Sequence, residues 1–178
     1  RRAGVGARGP LGHWGGKAGA VGGEGVESVV PEGFFLTRFL AWHTNKRPGR
    51  WGGDLSNRLG LPVEIVARTR EAVGKDFIIS YRLSMIDLVP GGSSWDEVVT
   101  LGKAVAKGGA SIINTGIGWH EARVPTIATS VPRAAFAWVT RKMKAEFAAA
   151  GITTPLVTPN PTNTPQGADQ VLAEGFAG

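Results

Sequence analysis

The sequence predicts an α/β fold, an incomplete (β/α)8 barrel of about four β/α units. Three observations lead there. Short apolar runs alternate with amphipathic helical stretches, which implies a parallel sheet covered by helices. The polar and unusual residues follow each run: Glu32 to Asp54, Arg82 and Ser84, Asn114 to Arg123, Asn160 to Asn163. Functional loops at the C-terminal ends of strands are the mark of a barrel. The length of 178 residues falls short of the roughly 250 that a whole barrel takes. The competing architecture is an open doubly wound sheet. It is disfavoured because no glycine-rich phosphate fingerprint follows the first run.

Residues 1–23, RRAGVGARGPLGHWGGKAGAVGG, form a Gly/Arg-rich lead-in whose glycine density costs too much backbone entropy to order readily. Residues 24–178 read as one partial barrel domain. GVESVV (25–30) is strand-like, with a first strand expected near 26–30. The segment 31–55 reads as a long polar, functional loop. SNRLGLPVEIVARTREAVG (56–74) carries Val63, Val66 and Val73 at helical spacing, and Pro62 suits a first turn, so the regular helix is expected to begin there.

FIISYRL (77–83) is β-rich. In 93–109, Ser94 and Glu97 make a capping box, Trp95, Val98, Leu101 and Val105 share a face, and two glycines end the helix. ASIIN (110–114) is the next strand. PRAAFAWVTRKMKAEFAAAG (132–151) places Phe136, Val139, Met143 and Phe147 on one stripe. PLVT (155–158) is a strand and PQGADQVLAEG (165–175) a last short helix. All four strands are expected to run parallel.

Composition narrows the function. Hydrophobic residues make up 42%, a globular proportion. The net charge of +6 suggests acidic partners, but Arg1, Arg2, Arg8 and Lys17 supply much of it from the lead-in and the other basic residues are scattered, so no nucleic-acid partner is expected. With no cysteine, these residues hold no disulfide, thiolate metal site, cysteine nucleophile or iron–sulfur cluster. That fits a reducing compartment, and a cytoplasmic location is expected. No apolar run approaches the length of a membrane span, so no membrane partner is expected, and the opening residues lack the apolar core of a signal peptide. The sequence does not give an oligomeric state.

The specific signals are motifs. EGFFLTRFLAWHTNKRPGRWGGDLSNR (32–58) resembles the segment after the fourth strand of old yellow enzyme-type flavin reductases, and YRLS (81–84) their fifth strand. INTGIGWHEARVPTIAT (113–129) resembles the bacterial type of NADPH-dependent 2,4-dienoyl-CoA reductase, and the likeness runs from about Glu24 to Glu174. On this resemblance the chain covers roughly strands four to seven of the barrel. The cofactor implied is FMN. The full-length family also carries FAD, NADPH and a 4Fe-4S cluster, whose binding segments are not found in these residues. The substrate implied is an unsaturated fatty acyl-CoA, reduced in fatty acid β-oxidation. Siblings on the same barrel are other ene-reductases and amine dehydrogenases, and a non-catalytic barrel fragment is the remaining alternative.

The resemblance also implies site residues. Arg82 corresponds to the arginine beside the flavin pyrimidine edge, where a guanidinium stabilises negative charge on the reduced ring. His120 corresponds to the active-site histidine, able to polarise a thioester carbonyl or hand on a proton. His120, Glu121, Ala122 and Arg123 make the substrate-contacting HEAR run. His43, Thr44, Asn45 and Lys46 lie where the family contacts substrate, although His43 and Lys46 replace its usual Arg and Gln. Asn160 falls where an Asn-Arg pair holds the flavin phosphate, with Pro161 in place of the Arg. Phe34 occupies the position of the proton-donating tyrosine; a phenyl ring cannot donate a proton, so that role is lost and an apolar pocket wall remains. Arg82 and His120 are expected to open onto one cavity at the C-terminal strand ends. The chain by itself is expected to be inactive, because the electron-relay modules and the other strands are missing from it.

Overall fold

The computed structural model describes residues 22–29, 33, 35–124, 126, 131–132 and 134–157. Four strands are described, β1 (Gly25–Val29), β2 (Ile78–Ile86), β3 (Ile112–Ile117) and β4 (Leu156–Val157). They form one sheet in the order β1-β2-β3-β4, each beside the next. Every pairing is parallel: Gly25 to Val29 lie opposite Ile78 to Arg82, Ser80 to Ser84 opposite Ile112 to Gly116, and Ile113 and Asn114 opposite Leu156 and Val157. An irregularity between Ser84 and Ile86 shifts the register at the C-terminal end of β2. Neighbouring strands in simple sequential order, with no reversal, are what a barrel needs and a doubly wound sheet lacks.

The helices are α1 (Phe35–Leu40), α2 (Leu55–Val73), α3 (Trp95–Lys107) and α4 (Ala137–Ala149). Their buried residues share one core with the odd-numbered strand positions Tyr81, Leu83, Met85 and Ile113. Gly102 of α3 allows a close approach, since a Cβ there would stand 3.2 Å from both Leu83 Cδ2 and Phe147 Cε1. Thr115 of β3 meets Thr140 of α4 at 2.9 Å on this same side. The opposite face carries Ile78, Ile112 and Val157 around a polar cluster, in which Glu27 Oε1 accepts from Ser80 Oγ at 3.0 Å and from Asn114 Nδ2 at 2.9 Å. Because side chains alternate along a strand, Arg82 shares that face with Ser80 and Asn114. In a closed barrel it is the inner face.

The structure departs from expectation in three places. Strands β2 and β3 run on to Ile86 and Ile117, so Arg82, Ser84 and Asn114 lie within strands and not after them. The loop expected over 31–55 contains α1, whose buried Leu36, Thr37 and Leu40 dock it on the core. Helix α2 starts seven residues before Pro62, which lies buried inside it. The backbone N–H groups of Asn57 and Arg58 both reach Asp54 O at 3.1 Å, so the first turn forms ahead of the proline. Arg58, buried, then pins that turn by donating to Leu40 O, to Gly53 O at 3.1 Å and to Glu97 Oε1 at 2.5 Å. These contacts outweigh the local cost of a proline in a helix.

Helix α3 opens as expected: Glu97 N–H donates to Ser94 Oγ and Ser94 N–H to Glu97 Oε2. Glu97 therefore caps its own helix and holds Arg58 at once. Burial by itself would raise the Glu97 pKa, but the hydrogen bonds from Arg58 and Ser94 and the Arg58 charge hold it below the ordinary value. The lead-in up to residue 21 and the short helix expected at 165–175 lie outside the described residues.

Candidate functional site

The inner face carries the first part of the site. Arg82 sits mid-β2, in register between Val29 and Asn114. Asn114 gives its Nδ2 to Glu27, while its buried Oδ1 has no hydrogen-bond partner among the described residues. An arginine donor thus lies beside an unsatisfied amide acceptor. The pyrimidine edge of a flavin presents carbonyl acceptors flanking an N–H donor, so this pair of groups fits it. Asn160 and Pro161, expected at the phosphate end, lie outside the described residues.

The second part is the set of loops past the strand ends. Gly118 N–H donates to Ile86 O at 2.7 Å and Trp119 N–H to Asp87 O at 2.9 Å, so the chain after β3 stays zipped to the chain after β2. Asp87 is buried; it accepts from Ser84 Oγ at 2.5 Å and from Ser93 N–H at 2.7 Å, which fixes the loop into α3. Trp119 is buried with its ring 4.9 Å from that of His43. Ala122 N–H closes a turn on Trp119 O at 2.9 Å, and His120 and Glu121 stand exposed on it, followed by exposed Arg123. The polar crowding at the end of β3 is the outward side of a turn whose tryptophan is an anchor.

The third part is α1 and its loop. His43 Nδ1–H donates to Gly91 O at 2.8 Å, joining this loop to the one after β2. Arg38 donates to Gly33 O at 2.6 Å through Nε and pairs with Glu121 Oε1 at 2.8 Å. Thr44 Oγ1 donates to Arg38 O and Ala41 O. Asn45 is buried and gives both amide hydrogen bonds, each 2.6 Å, to Phe39 O and Trp51 O, so it holds the loop in shape. Lys46 is exposed, its ammonium 4.6 Å from the Trp42 ring centroid. Phe34 lies outside the described residues.

The structure thus brings His43, Glu121 and Ala122 into one loop cluster around Trp119, and places Arg82 on the inner face. Arg82 and His120 are not at opposite ends of the sheet: Arg82 is mid-strand and His120 is three residues beyond β3. Sequence reasoning missed Arg38, Asp87, Glu27 and Arg58. Only Arg58 left a signal there, as the last residue of the long motif. Among the described residues no group of three or more metal-binding side chains occurs, and no helix is long and apolar enough to cross a membrane.

One alternative proton donor can be eliminated. The chain has a single tyrosine, Tyr81. It is fully buried on the helix-facing side, opposite Arg82, and burial pushes its phenol far above the ordinary range. Tyr81 is therefore not available as a proton donor on the inner face.

A parallel sheet in sequential order, covered by helices on one face and carrying a polar cluster on the other, with loops gathered past the strand ends, defines part of a (β/α)8 barrel. The chain belongs to the NADH:flavin oxidoreductase / NADH oxidase family, which it matches over residues 15–177. It is 37% identical over 161 residues to a metal reductase of Desulforamulus reducens, covering 90% of this chain and 23% of that protein. It is 30% identical over 154 residues to an NADH oxidase of Thermoanaerobacter brockii, covering 86% of this chain and 23% of that one. The chain therefore spans about a quarter of the length of these relatives. Among solved structures, a 2-naphthoyl-CoA reductase in complex with 2-naphthoyl-CoA superposes with a TM-score of 0.84 at 28% identity, over 93% of this chain and 24% of that one. The old yellow enzyme homologue from Zymomonas mobilis shares the fold, with a TM-score of 0.69 at 20% identity, over 93% of this chain and 43% of that one.

Proposed function

We propose that this chain is the catalytic-barrel portion of an FMN-dependent reductase acting on unsaturated acyl-CoA thioesters, with 2,4-dienoyl-CoA as the preferred substrate and NADPH as the electron source. The observation that carries the reading is the Arg82–Asn114 pair on the inner face, read with the INTGIGWHEAR segment that follows Asn114 in the chain. The 2-naphthoyl-CoA reductase is a neighbour whose ligand is a conjugated CoA thioester, which supports this substrate class. FAD, NADPH and the 4Fe-4S cluster belong in this reading to the rest of the longer protein, which works in the cytoplasm, in fatty acid β-oxidation.

Bound FMN would supply the hydride. Arg82 would donate to its pyrimidine edge and stabilise developing negative charge, Asn114 Oδ1 would accept from the ring N–H, and Asn160 would contact the phosphate. His120 would polarise the thioester carbonyl as electron density moves onto its oxygen. Once the far end of the diene is reduced, the dienolate must be protonated. Phe34 cannot do this, so His120 or water takes the role. Glu121, Ala122 and Arg123 would flank the acyl chain on one side; His43, Thr44 and Lys46 would stand on the other, with Asn45 shaping their loop.

Phe34 and Pro161 favour a second reading, in which the barrel has lost turnover. A purified chain completed with the missing strands, titrated with FMN and offered enoates beside dienoyl thioesters, separates these readings. The proposal requires a yellow protein whose flavin, once chemically reduced, is reoxidised faster by the thioesters than by the enoates. A colourless protein, or equal rates on both panels, sinks it.

A further inference from the structure

His120 is flanked in the chain by two residues that other loops hold. Trp119, on one side, packs against His43, which is itself fixed by its bond to Gly91 O. Glu121, on the other, is paired with Arg38, which is itself fixed by its bond to Gly33 O. Both holding residues come from α1 and the loop that follows it.

The two glycines are required by the packing. Gly33 has φ +83°, and a Cβ there would stand 2.9 Å from Glu121 Oε2 and 3.2 Å from Trp119 Cε3. Gly91 has φ +70°, and a Cβ there would stand 2.9 Å from His43 Cβ. Left-handed backbone and near-contact space coincide at both ends of the clamp.

We propose that Arg38 and His43 are positioning residues for His120, gripping its two chain neighbours so that the imidazole is presented from a fixed turn. The pair Arg38–Glu121 is half-exposed on both sides, so its contribution to global stability is small, and its worth lies in local order. Gly33 directly precedes position 34 in the chain, so Arg38 ties the segment that the resemblance assigns to proton donation to the loop that bears His120. This rests on the reading of His120 as a site residue, and it assigns His43 a holding role in place of a substrate contact.

The test is amide hydrogen exchange on the full chain, followed peptide by peptide, with the His120 imidazole resonance recorded in parallel. Arg38→Gln is expected to speed exchange over 118–122 by about two- to fivefold, the equivalent of a surface ion pair. His43→Leu is expected to speed it by about two- to tenfold, for the lost hydrogen bond and ring contact. In both, the His120 resonance should move towards that of a loop histidine, while the α3 peptides stay protected. Arg38→Lys, which keeps the charge, should recover part of the effect, and Glu121→Gln should reproduce Arg38→Gln without adding to it. Unchanged exchange and an unchanged His120 resonance in the first two variants would overturn the proposal. So would a loss of protection spread evenly over the chain, which would mark a merely structural role. An FMN titration of the chain completed with the missing strands keeps the questions apart: its failure to bind flavin speaks against the site reading and leaves the clamp measurable.

Discussion

The Arg58 guanidinium donates to the Glu97 carboxylate across 2.5 Å, joining the first turn of α2 to the first turn of α3. Arg58 is 6% exposed at its side chain and Glu97 23%. The same arginine also binds Leu40 O and Gly53 O, so α1, α2, α3 and the loop between α1 and α2 meet at one cation. Replacing it with methionine keeps much of the volume but strands the carboxylate and a buried carbonyl. Arg58→Met is expected to cost about 3 kcal/mol, as breaking a buried pair does, measured by urea unfolding followed by circular dichroism.

The same pair sets an acid dependence. The folded pKa of Glu97 is lowered, so on acidification the unfolded chain takes up the proton first. The contribution is fully present above the unfolded value, about 4.3, and is lost as pH falls through the lower folded value. Glu97→Gln should therefore flatten the stability profile below about pH 5 and leave its slope near neutrality unchanged. Denaturant midpoints taken every half unit of pH check this; parallel profiles for parent and variant would remove Glu97 from the account.

Asn45 offers a sharper separation of structure from substrate contact. Its amide donates to Phe39 O and Trp51 O and its Oδ1 accepts from Arg47 N–H at 3.3 Å. Asn45→Ala removes the side-chain donor from two part-buried carbonyls and is expected to cost about 2 kcal/mol. Asn45→Asp, which cannot donate at neutral pH, should cost at least as much. Thermal or urea unfolding reads both, and a variant as stable as the parent would return Asn45 to a purely functional role.

Much of the fold was legible in the sequence because period and punctuation agreed. The β-branched run at 77–83 between helical stretches gave β2, and Ser94 with Glu97 gave the start of α3 to the residue. Helix α1 was hidden because its six residues sit behind Pro31 and Gly33, with burial at Leu36, Thr37 and Leu40, too short for a helical period to show. Pro62 misled for a related reason: the Arg58 contacts that carry α2 past it are long-range and leave no local pattern. At the candidate site, INTGIGWHEAR singled out the loop after β3, but a motif gives no contacts. Arg38, five residues from Gly33 and 83 from Glu121, reads in the sequence as one basic residue among many.

Position 34 carries the clearest catalytic consequence. The chain's only tyrosine is committed to the core on the other side of the sheet, so on the proposed function these residues offer no phenol to protonate a dienolate. In a chain completed with the missing strands, loaded with FMN and chemically reduced, Phe34→Tyr is expected to speed single-turnover reoxidation by dienoyl-CoA. Positioned donors typically contribute about 10²–10⁴-fold. Matching rates for the parent and the Phe34→Tyr variant would mean that the proton already arrives from elsewhere.

The central claim is that the inner face beside Arg82 receives a flavin, and FMN affinity tests it most directly. The measurement is a fluorescence titration of FMN into the chain joined to the remaining barrel strands of the Desulforamulus reducens relative. It compares the parent with Arg82→Leu and with Arg68→Leu on the exposed face of α2. A charge-assisted hydrogen bond contributes about 1.5–3 kcal/mol, so Arg82→Leu should weaken binding by about tenfold to a hundredfold while Arg68→Leu leaves it unchanged. If Arg82→Leu binds FMN as tightly as the parent does, the flavin does not lie against the inner face of β2 and the account is wrong.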